Sequence, residues 1–326
     1  MKTRLFALLA AASLFCGNAG AQAPAPDGYP SKPVTIVVQY PAGSAMDVVA
    51  RLFGDAFTRK TGQPAIVVNR VGGGGNVAVN SMVNAAPDGY TLMFPGTVIS
   101  PVSVTDPKSA AAFWNALTPV TELTRAPLLC ATTPKTQATT LEQFIAWTKK
   151  SERVPFFGTS GVGGTPHFLI ENLKAATGMR MTHVPFQGAP PAILAAAQGD
   201  IDFLCEATFL MKPFVDERKL VPLALSVSQP DANFPNLPAL KAHGLADAEL
   251  GVWHGIFAPV KTPPATVQRI NSVLQGVLKD PELSKRLMAL GYLPVGAGPD
   301  EFKAKIDGET RRLKKIAADL NLKFEY

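Results

Sequence analysis

Short β-branched runs alternate with helix-length amphipathic stretches along most of this chain, and no other feature narrows the fold as far. "VTIVVQY" (34–40) reads as a strand. "DVVARLFGDAF" (47–57) then places Val48, Val49, Leu52, Phe53, Ala56 and Phe57 on one helical face, and Thr61-Gly62 ends it. "AIVVN", a helix from about Asn76 and the strand "YTLMF" follow. That order is βαβαβ, which predicts a parallel sheet with right-handed crossovers. The middle repeats the scheme with "APLLCAT", a helix over "TTLEQFIAWTKK", "VPFFGTS", a helix over "TPHFLIENLKAATG", "MTHVPF", a helix over "PPAILAAAQG" and "DIDFLCE". Thr140 and Gln143 stand at capping-box spacing, and Thr165 precedes Pro166 as an N-cap would. A proline-rich loop (229–238) and the strand "GVWHGIFAP" come next. After them the pattern predicts helices only, at 263–279, 281–290 and about 299–320, with Thr262 and Asp280 as caps before proline.

Residues 1–21 stand apart. Lys2 and Arg4, the apolar run Leu5–Phe15 and Ala19-Gly20-Ala21 have the form of a cleaved export signal. A soluble mature protein starting at Gln22 is expected in the periplasm. Without Lys2 and Arg4, 29 of the 31 bases face 25 acids, a net of +4. That is too weak and diffuse for a nucleic-acid surface. Arg311, Arg312, Lys314 and Lys315 read as the solvated face of a terminal helix. Cys130 and Cys205 remain in the mature chain, inside apolar strands, and are read as two buried thiols. The four histidines show no metal-ligand spacing, so neither metal nor cofactor is expected.

In open α/β sheets ligands lie beyond the carboxyl ends of the strands. Three such ends here run through small or glycine-rich loops into helices: "YPAGSAMD" (40–47), "FFGTSGVGGTPH" (156–167) and "PFQGAPP" (185–191). Backbone N–H groups at helix starts suit an anion. "VGGGGNVAVN" (71–80) lacks both the Gly-Lys-Ser/Thr of a nucleotide loop and the spacing of a dinucleotide fingerprint, and reads as a tight strand-to-helix turn. "GTSGV" (158–162) approaches a hydrolase nucleophile turn, with His183 or His254 as base, but Val162 replaces the defining glycine. Ser160 as a hydrogen-bond donor in a binding loop is the stronger reading. Asp47 is expected to cap its own helix, with acceptance from a ligand as the alternative. Glu206 ends a strand on the ligand side, whereas Asp200 and Asp202 are expected in solvent or capping a turn. His167 is either a ligand donor or structural, and Trp253 is core or hinge packing.

"YPSKPVTIVVQYPAGSAMDVVARLF", "GQPAIVVNRVGGGGNVAVNSMVNAAPDGYTL", "HVPFQGAPPAILAAAQGDID" and "WHGIFAPVKTPP" resemble the Bug family, the TctC-like substrate-binding proteins of tripartite tricarboxylate transporters. The resemblance spans the mature chain in order and is most specific over Gly62–Leu92. It implies an α/β fold like that of type II periplasmic binding proteins, with two α/β domains and a ligand cleft between them. Domain 1 would comprise 22–123 and 252–326, domain 2 residues 124–251, with a hinge near Thr121–Thr124 and Gly251–Trp253. The ligand would be a small aliphatic di- or tricarboxylate or an aromatic carboxylate. Implied contacts are Ala42, Gly43, Ser44, Ala45, Asp47 and Thr97 on one side, and Thr159, Ser160, Gly161, Gly164, Thr165, His167, Gln187, Gly188, Glu206 and Thr208 on the other. "AGSAMD" departs from the family's "PGG-x-TD"; Met46 stands where threonine is common, His254 for tyrosine, Gln187 for lysine and Glu206 for aspartate. These changes favour a ligand with an apolar or aromatic body. No catalysis is implied. The expected partners are the ligand and membrane permease subunits, with the receptor a monomer. The alternatives are a sensor subunit presenting ligand to a receptor kinase and a serine hydrolase.

Overall fold

A computed structural model describes residues 28–96 and 99–322. The expected export signal and Thr97 lie outside the described residues. The elements run β1 (Val34–Val38), α1 (Ala45–Thr61), β2 (Ala65–Asn69), α2 (Asn76–Val83), β3 (Thr91–Phe94), α3 (Ile99–Thr105), α4 (Pro107–Ala116), β4 (Leu117–Ala126), β5 (Leu128–Thr132), α5 (Leu141–Lys150), β6 (Phe156–Thr159), α6 (Thr165–Thr177), β7 (Thr182–Pro185), α7 (Ala189–Gln198), β8 (Phe203–Ala207), α8 (Thr208–Asp216), β9 (Val221–Leu225), β10 (Val252–Pro259), α9 (Pro264–Leu278), α10 (Pro281–Ala289), β11 (Leu293–Ala297) and α11 (Pro299–Asp319).

They form two sheets, ordered β11-β4-β10-β3-β1-β2 and β7-β6-β8-β5-β9. In the first, β1 pairs parallel with β2 and β3, as the βαβαβ pattern predicts, but β10 runs antiparallel to β3 and β4, and β11 antiparallel to β4. The sheets are therefore mixed rather than parallel throughout: the long returning strand β10 fills the centre of sheet one, and in sheet two β5 runs antiparallel to β8 and β9. Strand β11 also breaks the all-helical pattern expected after residue 262. Each sheet has an apolar cluster on either face. Apolar side chains of α1, α9 and α10 cover one face of sheet one, while those of α2, α4 and the first half of α11 cover the other.

Strands β4 and β10 pair from Pro259↔Leu117 to Val252↔Ala126. Thr121–Thr124, expected at a hinge, lies inside this ladder. The chain leaves sheet one at Ala126–Leu128, where the Leu128 N–H donates to Ser226 Oγ (2.8 Å), and returns through Gly251. Helix α11 spans both units: Phe302 and Ile306 lie in a sheet-one cluster, Leu313 and Ile316 in a sheet-two cluster.

Several local readings need correction. Cys130 and Cys205 are a disulfide, not two thiols. They are register partners on antiparallel β5 and β8, which brings their Cα atoms to 4.0 Å. Asp202 is buried, accepts from Arg153 and from the Phe156 N–H (2.8 Å), and does not face solvent. Gly164 rather than Thr165 caps α6, and Pro263 rather than Thr262 precedes α9, whereas Asp280 does cap α10. Arg311, Lys314 and Lys315 are exposed, but Arg312 turns inward and is half-buried. Trp253 is core: it is buried, and its indole N–H donates to Glu309 (2.9 Å).

Candidate functional site

Two loop clusters stand at the carboxyl ends of the two sheets. In the first, Ser44 caps α1 and accepts from the Asp47 N–H (3.3 Å), while the Asp47 carboxylate accepts from the Gly43 N–H (2.9 Å). Asp47 thus closes the helix start reciprocally from its third position rather than as the cap. Its carboxylate also accepts two bonds from Arg51 (both 2.9 Å) and one from Asn69 Nδ2 (2.9 Å). Arg51 above all holds its pKa down at about 2. With four donors in place, this charge is spent within the protein. It pins the β1 loop to the end of β2, where Asn69 also donates to the Tyr40 carbonyl (2.9 Å). Ala45 and Met46 are the first helical residues, so no carbonyl of their own helix reaches their N–H groups. Met46 and Tyr40 pack against the sheet-one core, and a Cβ at Gly96 would meet both.

The four-glycine run is the turn expected of it. All four glycines have positive φ, and a Cβ on Gly75 would lie 2.5 Å from Gln39 Oε1. Gln39 donates to the Pro95 carbonyl (2.9 Å), so Gly75 makes room for a side chain that braces the ends of β1 and β3.

The second cluster is tighter. Glu206, on β8, is buried and accepts from the Ser160 N–H (3.0 Å) at the end of β6. Burial raises its pKa to about 7, against hydrogen bonds from Ser160 and Ala207 that lower it. Thr159 Oγ1 donates to the Gly161 carbonyl (2.9 Å) and lies 2.7 Å from His183 Nε2. His167 Nδ1 accepts from the Gly163 N–H (2.9 Å), so that nitrogen carries no proton. Its ring stacks on His183 at 4.0 Å between centroids. Burial first, then the neighbouring histidine and Lys174, lowers its pKa to about 3; burial and Lys174 lower that of His183 to about 4. Both rings are neutral supports for the 159–165 loop. Gly164 caps α6, leaving the Thr165 N–H beyond reach of intrahelical acceptors. Gln187 and Gly188 form the start of α7 beside this loop, since β6 and β7 are parallel neighbours.

Thr208 points elsewhere: its hydroxyl donates to Asp231 (2.8 Å). A Cβ at Gly291, whose φ is +75°, would sit 2.3 Å from Thr208 Oγ1, so the turn after α10 touches the β8–α8 junction there. A crevice of about 260 Å³ opens beside it, lined in part by Asp231, Met288 and Tyr292. Phe209 packs on Tyr292 (6.0 Å), which meets His254 edge-on (4.8 Å). His254 is buried, paired with Thr124 Oγ1 (2.8 Å) and stacked on Phe94 (5.6 Å). Sequence reasoning passed over this aromatic contact between the units; only the departure at His254 hinted at it. The hydrolase arrangement does not assemble, since His183 pairs with Thr159 instead of Ser160, and His254 is committed to Thr124.

Residues 49–322 match the model of the tripartite tricarboxylate transporter family receptor, TctC. The chain belongs to this family. A protein of Agrobacterium vitis, named for the TAR-I ttuE-ttuC' intergenic region, is 30% identical over 322 residues, covering 98% of this chain and 92% of its own. BugT of Bordetella pertussis is 27% identical over 322 residues, 98% of each chain. Among solved structures, an R. palustris protein with adipate is 26% identical, with a TM-score of 0.77 over 90% of this chain and 98% of that one. MatC of Rhodopseudomonas palustris, with bound malate, is 28% identical, with a TM-score of 0.72 over 88% and 99%. The chain is thus a TctC-type solute-binding receptor with two α/β units. Among the described residues no helix is long and apolar enough to cross a membrane, and no group of three or more His, Cys, Asp or Glu side chains is placed to hold a metal ion.

Proposed function

We propose that this receptor works in the periplasm after removal of residues 1–21, encloses a small carboxylate between its two α/β units and delivers it to a tripartite tricarboxylate-type permease without catalysing a reaction. The units correspond to 22–126 with 252–326 and to 127–251, since Thr124–Ala126, expected in the second unit, pair with β10 in sheet one. The observation that carries the reading is the buried cluster at the end of sheet two. There the start of α6 presents backbone donors and hydroxyls beside Glu206, with no Arg or Lys in the 40–47, 157–167 and 185–191 loops. Helix starts of this kind bind anions through oriented N–H groups without a full opposing charge. The Ala42–Ala45 loop, with the open N–H groups of α1, supplies the facing wall, and Tyr40 and Met46, packed on the sheet-one core, flank that loop with apolar surface. Relatives solved with adipate and with malate support the carboxylate class.

A thermal-shift screen of the mature protein against small carboxylates, including adipate and malate, tests the reading, because a ligand that binds only the folded state raises the melting temperature. The strongest hit is then compared with its methyl ester or primary amide. Loss of binding by the neutral analogue is expected. Equal binding by acid and ester would overturn the anion site.

A further inference from the structure

Glu206 sits where the ligand carboxylate is expected, yet it is itself a carboxyl group. Its Oε1 takes the N–H of Ser160, the first residue of the loop that would hold the anion. Among the described residues no cation offsets it. Strands β5, β6 and β9 and helix α7 carry no charged residue. On α6, Lys174 is paired with Glu171 and His167 is neutral. On β7, His183 is bonded to Thr159. On α8, Lys212 pairs with Asp216. Two ionised carboxyl groups sharing one dry pocket repel, and such pairs settle by holding a proton between them.

Resting on the carboxylate reading above, we propose that Glu206 takes up one proton from solvent when a carboxylate enters and, as the neutral acid, donates a hydrogen bond to the ligand. The balance is simple: ionised Glu206, one solvent proton and a ligand carboxylate become a Glu206 acid bonded to a ligand carboxylate, and no covalent bond to carbon changes. The site is poised for this. Burial has already raised the Glu206 pKa to about 7, so near neutrality the proton is taken up at little cost. A bound anion raises it further. The receptor then loads best below pH 7, and its affinity tracks proton availability rather than ligand alone.

Isothermal titration calorimetry with adipate, malate, citrate and benzoate, in two buffers of widely different ionisation enthalpy, reads the proton directly. Uptake approaching one proton per ligand molecule bound is expected at about pH 8.5 and little at about pH 6, with affinity falling roughly tenfold per pH unit above about 7. Glu206→Gln keeps a donor at every pH, so uptake and pH dependence should both vanish in it; the wild-type measurement stands by itself if that variant does not fold. Binding with no proton uptake at either pH, or affinity that rises with pH, overturns the proposal and leaves the carboxylate reading in place. Rising affinity would mean that ionised Glu206 accepts from a ligand hydroxyl or amine. Failure of all four acids to bind at either pH removes both readings.

Discussion

Reducing the Cys130–Cys205 bridge should weaken the sheet-two unit more than any change to a surface charge. The bridge closes a segment of 75 residues between β5 and β8. In the chain-entropy treatment a loop of that length restricts the unfolded chain by an amount worth about 4.5 kcal/mol, an upper figure if the denatured chain keeps residual structure. Both cysteines are fully buried, so Ala at both positions would add the loss of packing; reduced wild type isolates the cross-link. Oxidised protein and protein refolded in reductant are compared by guanidinium unfolding. The reporter is Trp147, stacked on Phe144 in the same core. Its transition should move to lower denaturant by the equivalent of roughly 2–4 kcal/mol. Alkylation of unreduced, denatured mature protein should label neither cysteine. An unmoved Trp147 transition after verified reduction refutes the entropic argument, and labelling of both thiols before reduction refutes the bridge.

Three further outcomes follow from the site. Glu206 has a pKa of about 7 folded against 4.5 unfolded, so the folded state holds the extra proton in that window and stability falls as pH rises through it, by at most about 3 kcal/mol. The melting-temperature difference between Glu206→Gln and wild type should therefore grow in the variant's favour from pH 4.5 to 7 and level off above; a constant difference would show that Glu206 is not desolvated. Ser160→Ala should weaken binding of a confirmed carboxylate by about 1.5–3 kcal/mol by calorimetry, and wild-type affinity would remove the Ser160 hydroxyl from the site. Saturating ligand should lower the radius of gyration in small-angle scattering, with bending at Ala126–Leu128 and Leu250–Val252; an unchanged radius with binding verified would argue against closure.

What the sequence disclosed tracks how far apart the deciding residues lie. The apolar face of α1, the Thr140 cap and the Asp280 cap depend on residues within one or two turns, and they are present in the fold, except that Val48 of that face is exposed and the Gln143 side chain reaches back to the Thr139 N–H instead of that of Thr140. Glu206 was legible because a strand's carboxyl end is a place, not a contact. Strand β11 was not, since "LPVGA" carries proline and glycine and becomes a strand only by pairing with β4, over 160 residues earlier in the chain. The disulfide needs the β5–β8 register, the burial of Asp202 needs Arg153, and the turn of Thr208 away from the cleft needs Asp231. Asp47 and Arg51 stand at i,i+4 and were open to reading, but the pull of the ligand loop hid the simpler partner.

The reach of α11 across both cores restricts how this receptor moves. Phe302 and Ile306 anchor its first half, Leu313 and Ile316 its second, and the rod between them is continuous. A clamshell that swings freely on two strands opens widest at its mouth. A clamshell with a splint along its back does not, because wide opening would drag Leu313 and Ile316 out of an apolar socket and into water, at about 1.5–3 kcal/mol for each side chain fully exposed. Bending at the two crossings is therefore limited to excursions that keep both side chains seated, and a truncation after Asp307 should loosen the gape, with faster entry and poorer retention of cargo.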